Sequence, residues 1–477
     1  THVIKFEGFS NPLHIVKLAD VFLIISKIPG ESMSKIACFK AYDIRGVVPS
    51  ELNVELAYNI ARGYKKFTGC KSVVIGRDIR KSSEELSTAL VNGFLDSGVD
   101  VIDIGLCGTE MVYFGTSYLN ADGGIMITAS HNPPEYNGMK FVRERSIPIS
   151  YDSGLNTIEE IITANGFDEL PANKGNYSQR DIAEEFVVHL GSFYDVKKVK
   201  KMKVVVNAGN GCVGPMLDRL EKILPIEMIK LFNDPNPDFP NGVPNPMIEE
   251  NRKPTIDAII ANKADLGVAW DGDYDRCFFF DESGDFIEGY YIVGMLAKSI
   301  LKMNPGEKII HDPRLVWNTI EVCKDSGGEA VQSKSGHAFI KEKMREVNAI
   351  YGGEMSAHHY FRDNAYSDSG LIPFLLVVQL MSEEGKSLSQ LVNEMIEKYP
   401  CSGEINSKIA DAAGKLEEIK AKYSDGIFDY TDGVSVDYGT WRFNLRMSNT
   451  EPIIRLNVET VGDIPLMKQK TEELLSL

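Results

Sequence analysis

The sequence has no apolar segment long enough to cross a membrane, although the chain contains 477 residues. A membrane-spanning helix needs about 18 or more consecutive apolar residues. The most apolar stretch near the amino end, residues 15–25, is interrupted by Lys17 and Asp20 and lacks the features of a secretory signal. We therefore expect no membrane partner. The sequence starts at Thr1, and we expect residues 1–32 to be an extension upstream of Met33 without a part in the chemistry.

Paired cysteines at metal-binding or redox spacing are also missing. The seven cysteines are scattered along the chain: Cys38, Cys70, Cys107, Cys212, Cys277, Cys323 and Cys401. Without a Cys-x-x-Cys motif this pattern favours neither a disulfide framework nor a zinc site. The sequence therefore predicts reduced thiols and a cytoplasmic protein.

Basic residues are in the minority. The chain has 51 lysines and arginines against 68 aspartates and glutamates, a net charge of −17. Nucleic acids attract basic surfaces, so we expect no nucleic-acid partner, while a locally basic cleft for small anions stays open. The length exceeds what one hydrophobic core supports, which predicts two to four domains.

The stretch from Gly123 to Lys140 reads GGIMITASHNPPEYNGMK and is the most informative part of the chain. Its apolar start, Ile125–Ile127, predicts a short buried strand. Two prolines stiffen the loop that follows, and Asn137-Gly138 predicts a turn before the chain returns to apolar residues.

This loop carries three reactive side chains, Ser130, His131 and Lys140. Open α/β sheets place their chemistry where strands end. A serine with an imidazole beside it and an ammonium ten residues later therefore favours a catalytic loop. The alternative is a surface loop whose polar side chains cap turns.

Three aspartates at alternate positions form the second group of reactive residues. They follow a predicted strand in ADLGVAWDGDYDRCFFF and are Asp271, Asp273 and Asp275, with Arg276 directly after them. Carboxylates so close repel one another unless a cation binds them, and hard oxygen ligands suit Mg²⁺ or Ca²⁺. An EF-hand is one alternative, because Glu282 stands at the twelfth position, although Arg276 replaces the required glycine. A solvated acidic turn is the other.

Basic or glycine-rich loops that could contact an anion occur elsewhere in the first half. Arg45 follows an alternation that predicts a strand ending in a loop, and a surface salt bridge is its alternative. Arg77 and Arg80 follow the predicted strand Ser72–Ile75. The turn at residues 208–211 has the composition of a phosphate-binding turn, but a tight strand-to-helix connection is favoured.

Two further loops lie in the second half. Residues 353–359 read GEMSAHH, and a carboxylate and a hydroxyl at Glu354 and Ser356 suit two vicinal sugar hydroxyls. A zinc site from Glu354, His358 and His359 is an alternative, although the spacing differs from His-Glu-x-x-His. Residues 446–452 read RMSNTEP, which predicts either an anion cradle or a plain hairpin turn.

Taken in chain order, these motifs resemble those of the α-D-phosphohexomutases, the family of phosphomannomutase and phosphoglucomutase. TASHNPPEYNGMK is similar to the family's phosphoserine loop, YDIRG and GRDIR to its basic loops, and DGDYDR to its metal loop. KSGH and GEMSAHH are similar to its sugar-binding loops, and RMSNTEP to its phosphate-binding loop. The resemblance covers about residues 36–477. Over DPRLVWNT, GEMSAHHYFRD and RFNLRMSNTEP it is greatest to bacterial phosphomannomutases.

The resemblance implies an α/β fold with three similar α/β domains and a smaller C-terminal α+β domain around a central cleft. The expected domains are 33–178 with the phosphoserine loop, 179–286 with the magnesium loop, 287–398 with the sugar loop and 399–477 with the phosphate loop. No residue-level repeat relates the first three domains, so their similarity rests on the family alone. Tyr274 stands where many members have glycine, and Arg314 lies near a lysine of many members.

The implied reaction interconverts mannose 6-phosphate and mannose 1-phosphate through a phosphoserine and a hexose 1,6-bisphosphate, which also serves as activator, and feeds GDP-mannose synthesis. Phosphoglucomutase or dual specificity is the first alternative. A serine phosphatase and a sugar-phosphate-binding protein without turnover are more distant ones. Mg²⁺ is the implied cofactor and hexose phosphates are the partners. We expect a monomer or a homodimer.

The resemblance also assigns roles residue by residue. The catalytic residues are Ser130, His131, Lys140 and Arg45. Lys140 is the first candidate base, provided that its site lowers its pKa, and His131 is the second. The implied metal ligands are Ser130, Asp271, Asp273 and Asp275. The implied substrate residues are Arg276, Lys334, His337, Glu354, Ser356 and His358. The implied phosphate-binding residues are Arg446, Ser448, Asn449, Thr450 and Arg455.

Overall fold

Four β-sheets follow one another along the chain. The computed structural model describes residues 35–409, 411–447 and 453–477, and everything below concerns these residues. The predicted extension and the predicted phosphate-loop residues Ser448, Asn449 and Thr450 lie outside them. No described helix is long and apolar enough to cross a membrane. All seven cysteines are described and none is in a disulfide, in agreement with the prediction of free thiols.

The first sheet has six strands in the order β1-β5-β4-β2-β3-β6. Its elements, in chain order, are β1 (Ile44–Val47), α1 (Val54–Thr68), β2 (Ser72–Arg77), α2 (Ser83–Asp96), β3 (Asp100–Leu106), α3 (Thr109–Tyr118), β4 (Gly123–Ile127), β5 (Tyr136–Arg143), α4 (Asn156–Thr163) and β6 (Tyr177–Gln179).

The second and third sheets have five strands each, in the orders β11-β10-β9-β7-β8 and β13-β12-β14-β15-β16. The second domain contains α5 (Ala183–Leu190), β7 (Lys203–Asn207), α6 (Gly214–Leu220), β8 (Glu227–Leu231), α7 (Lys253–Asn262), β9 (Leu266–Trp270), β10 (Cys277–Phe280) and β11 (Phe286–Ile287). The third contains α8 (Gly289–Met303), β12 (Lys308–His311), α9 (Trp317–Asp325), β13 (Glu329–Gln332), α10 (His337–Val347), β14 (Tyr351–Gly353), β15 (His359–Phe361), β16 (Ser367–Asp368), α11 (Leu371–Glu384) and α12 (Leu388–Lys398).

The fourth sheet is antiparallel throughout its described strands, in the order β17-β21-β20-β19-β18. Its elements are β17 (Ile405–Lys408), α13 (Ala412–Lys422), β18 (Ile427–Asp429), β19 (Val434–Asp437), β20 (Trp441–Met447), β21 (Ile453–Thr460) and α14 (Ile464–Leu475). This is the smaller α+β domain that the resemblance implies.

The first three sheets share one four-strand topology. Within each set of four successive strands the spatial order is fourth, third, first, second: β5-β4-β2-β3, β10-β9-β7-β8 and β15-β14-β12-β13. The first strand is parallel to both of its neighbours, and the fourth runs antiparallel to the third. The three similar α/β units are therefore confirmed, although no sequence repeat reveals them. The hairpin between the third and fourth strands is equivalent in all three.

Local sequence explains why these elements form where they do. Strand β4 is buried along its whole length, as expected for a strand with helices on both faces of its sheet. Helix α1 begins where Asn53 accepts a hydrogen bond from the backbone N–H of Leu56, and it ends at Gly69 in the left-handed conformation. Both are the usual start and stop signals of a helix.

The hydrophobic core is continuous through the first three domains, whereas the fourth has its own. One buried cluster includes Met126 of the first sheet, Val206 of the second and Tyr351 of the third. The fourth domain packs a separate cluster around Phe443 and Val458. Polar contacts therefore make a large contribution where the fourth domain meets the third.

Two local predictions are wrong. Asn137 and Gly138 lie inside β5 and do not form a turn; the chain reverses earlier, where the N–H of Asn132 donates to Ala129 and that of Tyr136 donates to Pro133. Arg45 lies within β1, opposite Gly138, and not in the loop after it. In both cases β1 pairs with β5, a long-range contact that local patterns do not contain.

Candidate active site

Ser130 lies in the hairpin between β4 and β5 with a left-handed backbone, at φ 50°. Residues other than glycine rarely adopt this conformation. The N–H of Ser130 donates to Oγ1 of Thr128 at 2.8 Å, and Ser130 is only 3% exposed. The loop therefore presents the serine hydroxyl in one fixed direction, as a reacting group requires.

Arg80 braces this hairpin. Its Nη2 donates to the carbonyl oxygens of Ser130 at 2.9 Å and Asn132 at 2.6 Å. Its Nη1 donates to those of Pro133 at 2.8 Å and Tyr136 at 3.0 Å. One buried guanidinium thus replaces the backbone partners that a non-repetitive loop lacks. The basic loop that carries Arg80 therefore supports the serine loop.

The aspartate loop between β9 and β10 meets the serine loop directly. Oγ of Ser130 donates to Oδ2 of Asp271 at 2.8 Å. The backbones also touch, because a Cβ atom at Gly272 would lie 2.5 Å from the carbonyl oxygen of Ser130. Glycine is therefore the residue that lets the two loops approach this closely.

The three aspartates form a buried group that fits a divalent cation. Each offers a carboxylate oxygen within 4.8 Å of those of the others. Oδ1 of Asp273 and Oδ1 of Asp275 are buried and have no hydrogen-bond partner in the described chain. Buried polar atoms are rarely left without a partner, and oxygen-only donors suit Mg²⁺. Asp271, Asp273, Asp275 and Oγ of Ser130 would hold the ion.

Lys140 supplies the positive charge at this group. Its Nζ lies 2.7 Å from Oδ2 of Asp273 and 2.5 Å from Oδ2 of Asp275. Burial alone would lower the pKa of Lys140, but these two carboxylates outweigh it and raise the pKa well above its usual value. The lowered pKa that a lysine base requires is thus not present in this arrangement, because Lys140 holds its proton.

His131 and Arg276 complete the surroundings of the serine. Nδ1 of His131 lies 3.0 Å from Oγ of Ser130 and accepts from Nη2 of Arg276 at 2.5 Å. Nε of Arg276 donates to Asp271 at 2.8 Å. Desolvation and the Arg276 charge hold the pKa of His131 well below its usual value, so the ring is neutral.

Arg45 reaches the serine loop from β1. Its Nη1 donates to Oδ1 of Asn132 at 2.6 Å, and its Nη2 pairs with Asp43 at 2.6 Å. Both environments weighed from the sequence, a salt bridge and the active loop, are therefore present together. Its Nε is buried without a partner among the described residues, which leaves a donor for an anion.

The predicted sugar loop between β14 and β15 lies against the aspartate loop, since Arg276 and His358 form an isolated backbone bridge. Glu354 is nearly fully buried, and its oxygens accept from the hydroxyl of Tyr360 at 2.6 Å and the N–H of Gly336 at 2.8 Å. Ser356 and His358 stand beside it with a hydroxyl-to-Nδ1 distance of 3.4 Å. Glu354 thus fixes the loop that presents Ser356 and His358.

Arg314 anchors the loop that carries Glu354 and Ser356. It pairs with Asp312 through Nε and Nη2, each at 2.9 Å, and its Nη2 also lies 3.3 Å from Glu354 and 3.2 Å from Oγ of Ser356. Its guanidinium is therefore engaged mainly with carboxylates.

Two predicted substrate residues, Lys334 in the loop before α10 and His337 at the first position of α10, differ in their surroundings. Both ring nitrogens of His337 are buried and have no hydrogen-bond partner in the described chain. Burial and nearby lysines hold the pKa of His337 well below its usual value. Lys334 is exposed, with its ammonium 5.7 Å from the ring centre of Phe339. His337 offers unused polar atoms, whereas Lys334 is free to reorient.

The predicted phosphate arginines lie on the strands that flank residues 448–452. Arg446 pairs with Asp432 at 3.1 Å and with Glu404 at 3.0 Å. Arg455 lies 3.7 Å from the second oxygen of Glu404. The Nε atoms of both arginines are buried without a partner in the described ranges. Two guanidinium groups with spare donors thus stand side by side, as an anion cradle requires.

Both metal alternatives weighed from the sequence are wrong. The acidic loop joins two antiparallel strands, β9 and β10, where an EF-hand joins two helices, and Glu282 accepts a hydrogen bond from Ser389 at 2.5 Å. His359 bonds through Nδ1 to the hydroxyl of Tyr351 at 2.7 Å. No group of three potential metal ligands in the described chain includes Glu354 or His359.

Several residues of the site escape sequence reasoning. Thr109 donates to Oδ2 of Asp273 at 2.5 Å, Tyr42 reaches the carbonyl oxygen of Ser335 at 3.4 Å, and the buried Lys341 pairs with Asp368 at 2.7 Å. The first two contacts join different domains, and the third joins Lys341 of α10 to Asp368 of β16 within the third domain, so no local pattern marks any of them. Tyr274 adopts a left-handed backbone at φ 44°, which explains why glycine is common there in the resembled family.

Comparison with known proteins identifies the family to which this chain belongs. Residues 37–169, 184–284 and 288–399 match the alpha/beta/alpha domains I, II and III of phosphoglucomutase/phosphomannomutase, and residues 404–475 match its C-terminal domain. The chain belongs to the phosphoglucomutase/phosphomannomutase family. The three matched alpha/beta/alpha domains contain the shared four-strand sets described above, and the C-terminal domain contains the fourth sheet.

Individual members of the family are similar over nearly the whole chain. The phosphomannomutase of Escherichia coli K12 is 52% identical over 453 residues, covering 93% of this chain and 99% of that protein. A protein of Xanthomonas campestris pv. campestris strain B100, named "Phosphohexose mutases", is 53% identical over 441 residues, covering 92% and 98%. The crystal structure of a family protein from Burkholderia thailandensis superposes with a TM-score of 0.81 at 32% identity, covering 92% and 96%.

Proposed function

We propose that this chain is a phosphomannomutase, an isomerase that interconverts mannose 6-phosphate and mannose 1-phosphate through a phosphoserine at Ser130. The supporting observation is the position of Oγ of Ser130, 2.8 Å from Asp271 in a group of three buried aspartates. The similarity to proteins named phosphomannomutase supports mannose as the sugar. The product would feed GDP-mannose synthesis.

The reaction consists of two balanced phosphoryl transfers. In the first, the free hydroxyl oxygen of the monophosphate bonds to phosphorus while the bond from phosphorus to Oγ of Ser130 breaks. The hexose 1,6-bisphosphate then reorients end for end in the site, and its other phosphoryl group is transferred to Ser130. No phosphate is lost, and the hydroxyl proton removed in the first transfer is restored in the second. Such transfers depend on positioning and charge neutralisation.

The chain's own residues provide that neutralisation. Arg45, Arg276 and Lys140 place three positive charges around Ser130. Mg²⁺, when bound by the aspartates, would add charge stabilisation of the moving phosphoryl group. Arg446 and Arg455, together with residues 448–450, would hold the phosphate that is not reacting.

The hydroxyl proton needs an acceptor beside Ser130. We keep Lys140 as the first candidate and His131 as the second, because both lie against the serine or aspartate loop. In the described arrangement Lys140 is an ion-pair partner of Asp273 and Asp275. Lys140 can accept a proton only after it has lost its own. This requires the two carboxylates to be engaged elsewhere, so that the pKa of Lys140 falls.

A coupled assay on mannose 1-phosphate and glucose 1-phosphate, with released phosphate measured in the same samples, tests the proposal. We expect isomerised sugar with mannose preferred, and little free phosphate. Intact-mass measurement should show an additional ~80 Da on Ser130. Equal rates on both sugars would indicate a dual-specificity enzyme, and stoichiometric phosphate release a phosphatase. We further propose a cytoplasmic location, hexose 1,6-bisphosphate as activator, and a monomer or homodimer.

A further inference from the structure

A single carboxylate, that of Glu404, collects three arginines where the third and fourth domains meet. Its oxygens lie 3.3 Å from Nη1 of Arg314, 3.0 Å from Nη2 of Arg446 and 3.7 Å from Nη1 of Arg455. The Glu404 side chain is 4% exposed. Burial opposes its ionisation, but the three guanidinium groups outweigh this and lower the pKa of Glu404. The carboxylate is therefore charged.

These three arginines belong to different parts of the site. Arg446 and Arg455 are the phosphate-binding candidates of the fourth domain, whereas Arg314 belongs to the third domain and contacts Glu354 and Ser356 of the sugar loop. Glu404 is therefore one ion pair away from both the phosphate cradle and the sugar loop.

A second carboxylate makes a parallel link. Asp432 accepts from Nη1 of Arg446 at 3.1 Å and from the N–H of Ser335 at 3.3 Å. Ser335 belongs to the loop that carries Lys334 and His337. Arg446 is thus connected to both substrate loops of the third domain, through Glu404 on one side and Asp432 on the other.

We propose that Glu404 is a positioning residue, which holds Arg314, Arg446 and Arg455 in register and couples phosphate binding in the fourth domain to the sugar loop. This inference rests on the proposed phosphate-binding role of Arg446 and Arg455. No sequence motif marks Glu404; only the folded geometry does.

The charges explain why such a residue is needed. Three guanidinium groups this close repel one another, and that repulsion is strongest at Arg314, whose side chain is only 3% exposed. Long side chains also lose entropy when they are fixed, so a central anion that orders them in advance reduces the cost of ligand binding. Each arginine has five N–H donors, and the buried Nε atoms of Arg446 and Arg455 stay unused. Glu404 therefore orders the arginines and still leaves N–H donors available for a ligand.

Binding of mannose 1-phosphate, measured by calorimetry in a Ser130→Ala background that prevents turnover, tests the inference. We compare the background chain with added Glu404→Gln, Arg446→Ala, or both. Glu404→Gln should weaken binding about tenfold, and Arg446→Ala by about 10- to 150-fold. The double variant should bind more tightly than the product of the two losses predicts, because Glu404 acts partly through Arg446.

Two further variants separate positioning from simple loss of structure. Asp437→Asn makes the same chemical change to a carboxylate that crosses the same domain boundary, where Asp437 accepts from Nε1 of Trp317 at 3.2 Å without touching the cradle arginines. It should leave affinity unchanged. Glu404→Asp keeps the charge on a shorter side chain and should bind more tightly than Glu404→Gln. Thermal melting checks that all variants are folded.

The outcomes distinguish the inference from the proposed function. If Arg446→Ala weakens binding and Glu404→Gln does not, the inference is overturned and the proposed function stands. If Asp437→Asn weakens binding as much as Glu404→Gln, the effect is one of domain packing and the inference is also overturned. If Arg446→Ala has no effect, the proposed phosphate cradle itself fails, and the inference fails with it.

Discussion

Ser130 and Asp271 are 141 residues apart in the chain, yet Oγ of Ser130 donates to Oδ2 of Asp271 at 2.8 Å. Each lies in the hairpin between the third and fourth strands of the shared four-strand set in its own domain, and Glu354 occupies the same position in a third domain. The repeated topology thus brings three equivalent hairpins together, and each contributes different groups: a serine hydroxyl, three clustered carboxylates, and the loop that carries Glu354 and Ser356.

Replacing Ser130 removes the proposed carrier of the phosphoryl group. We expect Ser130→Ala to abolish more than about 99% of mutase activity, since covalent catalysis needs the hydroxyl. Binding of mannose 1-phosphate should survive, because the phosphate-binding candidates lie in the fourth domain. A coupled assay and calorimetry measure the two effects. Ser192→Ala, at an exposed serine that donates to His189, is the control. Near-normal turnover of Ser130→Ala with added bisphosphate would show that another residue carries the phosphoryl group.

The contact between the serine and aspartate loops should be sensitive to a single methyl group. In Gly272→Ala the new Cβ would lie 2.5 Å from the carbonyl oxygen of Ser130, so one of the two backbones must move. Because small displacements of reacting groups are costly, kcat should fall at least about tenfold. Gly166→Ala is the matched control, since its Cβ would meet its nearest atom at 3.6 Å. Equal kcat in both variants would mean that the two loops need not touch during catalysis.

Much of the fold and site could be predicted from sequence because the signals are local. The strand that begins at Ser72, the buried strand over Ile125–Ile127 and the three aspartates each follow from a few consecutive residues. The family resemblance adds the order of the domains.

What could not be predicted depends on contacts between distant segments. Asn137-Gly138 has the composition of a turn, but pairing with β1 draws it into β5. Lys140 could be predicted as a base from its position, but its ion pairs with Asp273 and Asp275 outweigh the effect of burial and raise its pKa. Glu404 lies in no recognisable motif, because its ion-pair partners are arginines that are 42, 51 and 90 residues away in the chain.

Removing one carboxylate should weaken metal binding more than it weakens folding. Asp273 uses Oδ2 for Thr109 and Lys140, while its Oδ1 has no partner in the described chain. In Asp273→Asn we expect at least about tenfold weaker Mg²⁺ affinity and a lower kcat, because one charged ligand of a hard cation is lost. Titration of activity with Mg²⁺ after treatment with chelator measures both.

The exposed Asp285, in the turn after β10, provides the control for this experiment. Asp285→Asn should leave the Mg²⁺ titration unchanged. If Asp273→Asn loses activity only because its melting temperature collapses, with the Mg²⁺ response of the folded fraction unaltered, then Asp273 is a structural residue and not a metal ligand.

The choice of sugar provides the last prediction. Glu354 accepts hydrogen bonds from Tyr360 and Gly336 and pairs with Arg314, so it fixes the loop that we propose binds the sugar. The substrate must bind in two flipped orientations, and a pocket that accepts both cannot hold C2 tightly, the only centre at which mannose and glucose differ. Glu354→Gln should therefore lower kcat/KM for mannose 1-phosphate and glucose 1-phosphate by about the same factor, roughly tenfold, with their ratio changed by less than about twofold. Glu346→Gln, at an exposed glutamate paired with Lys343, should change neither value. If the ratio of the two kcat/KM values instead changes about tenfold in Glu354→Gln and is unchanged in Glu346→Gln, Glu354 contacts the hydroxyl at C2. The pocket then discriminates the two sugars through this carboxylate.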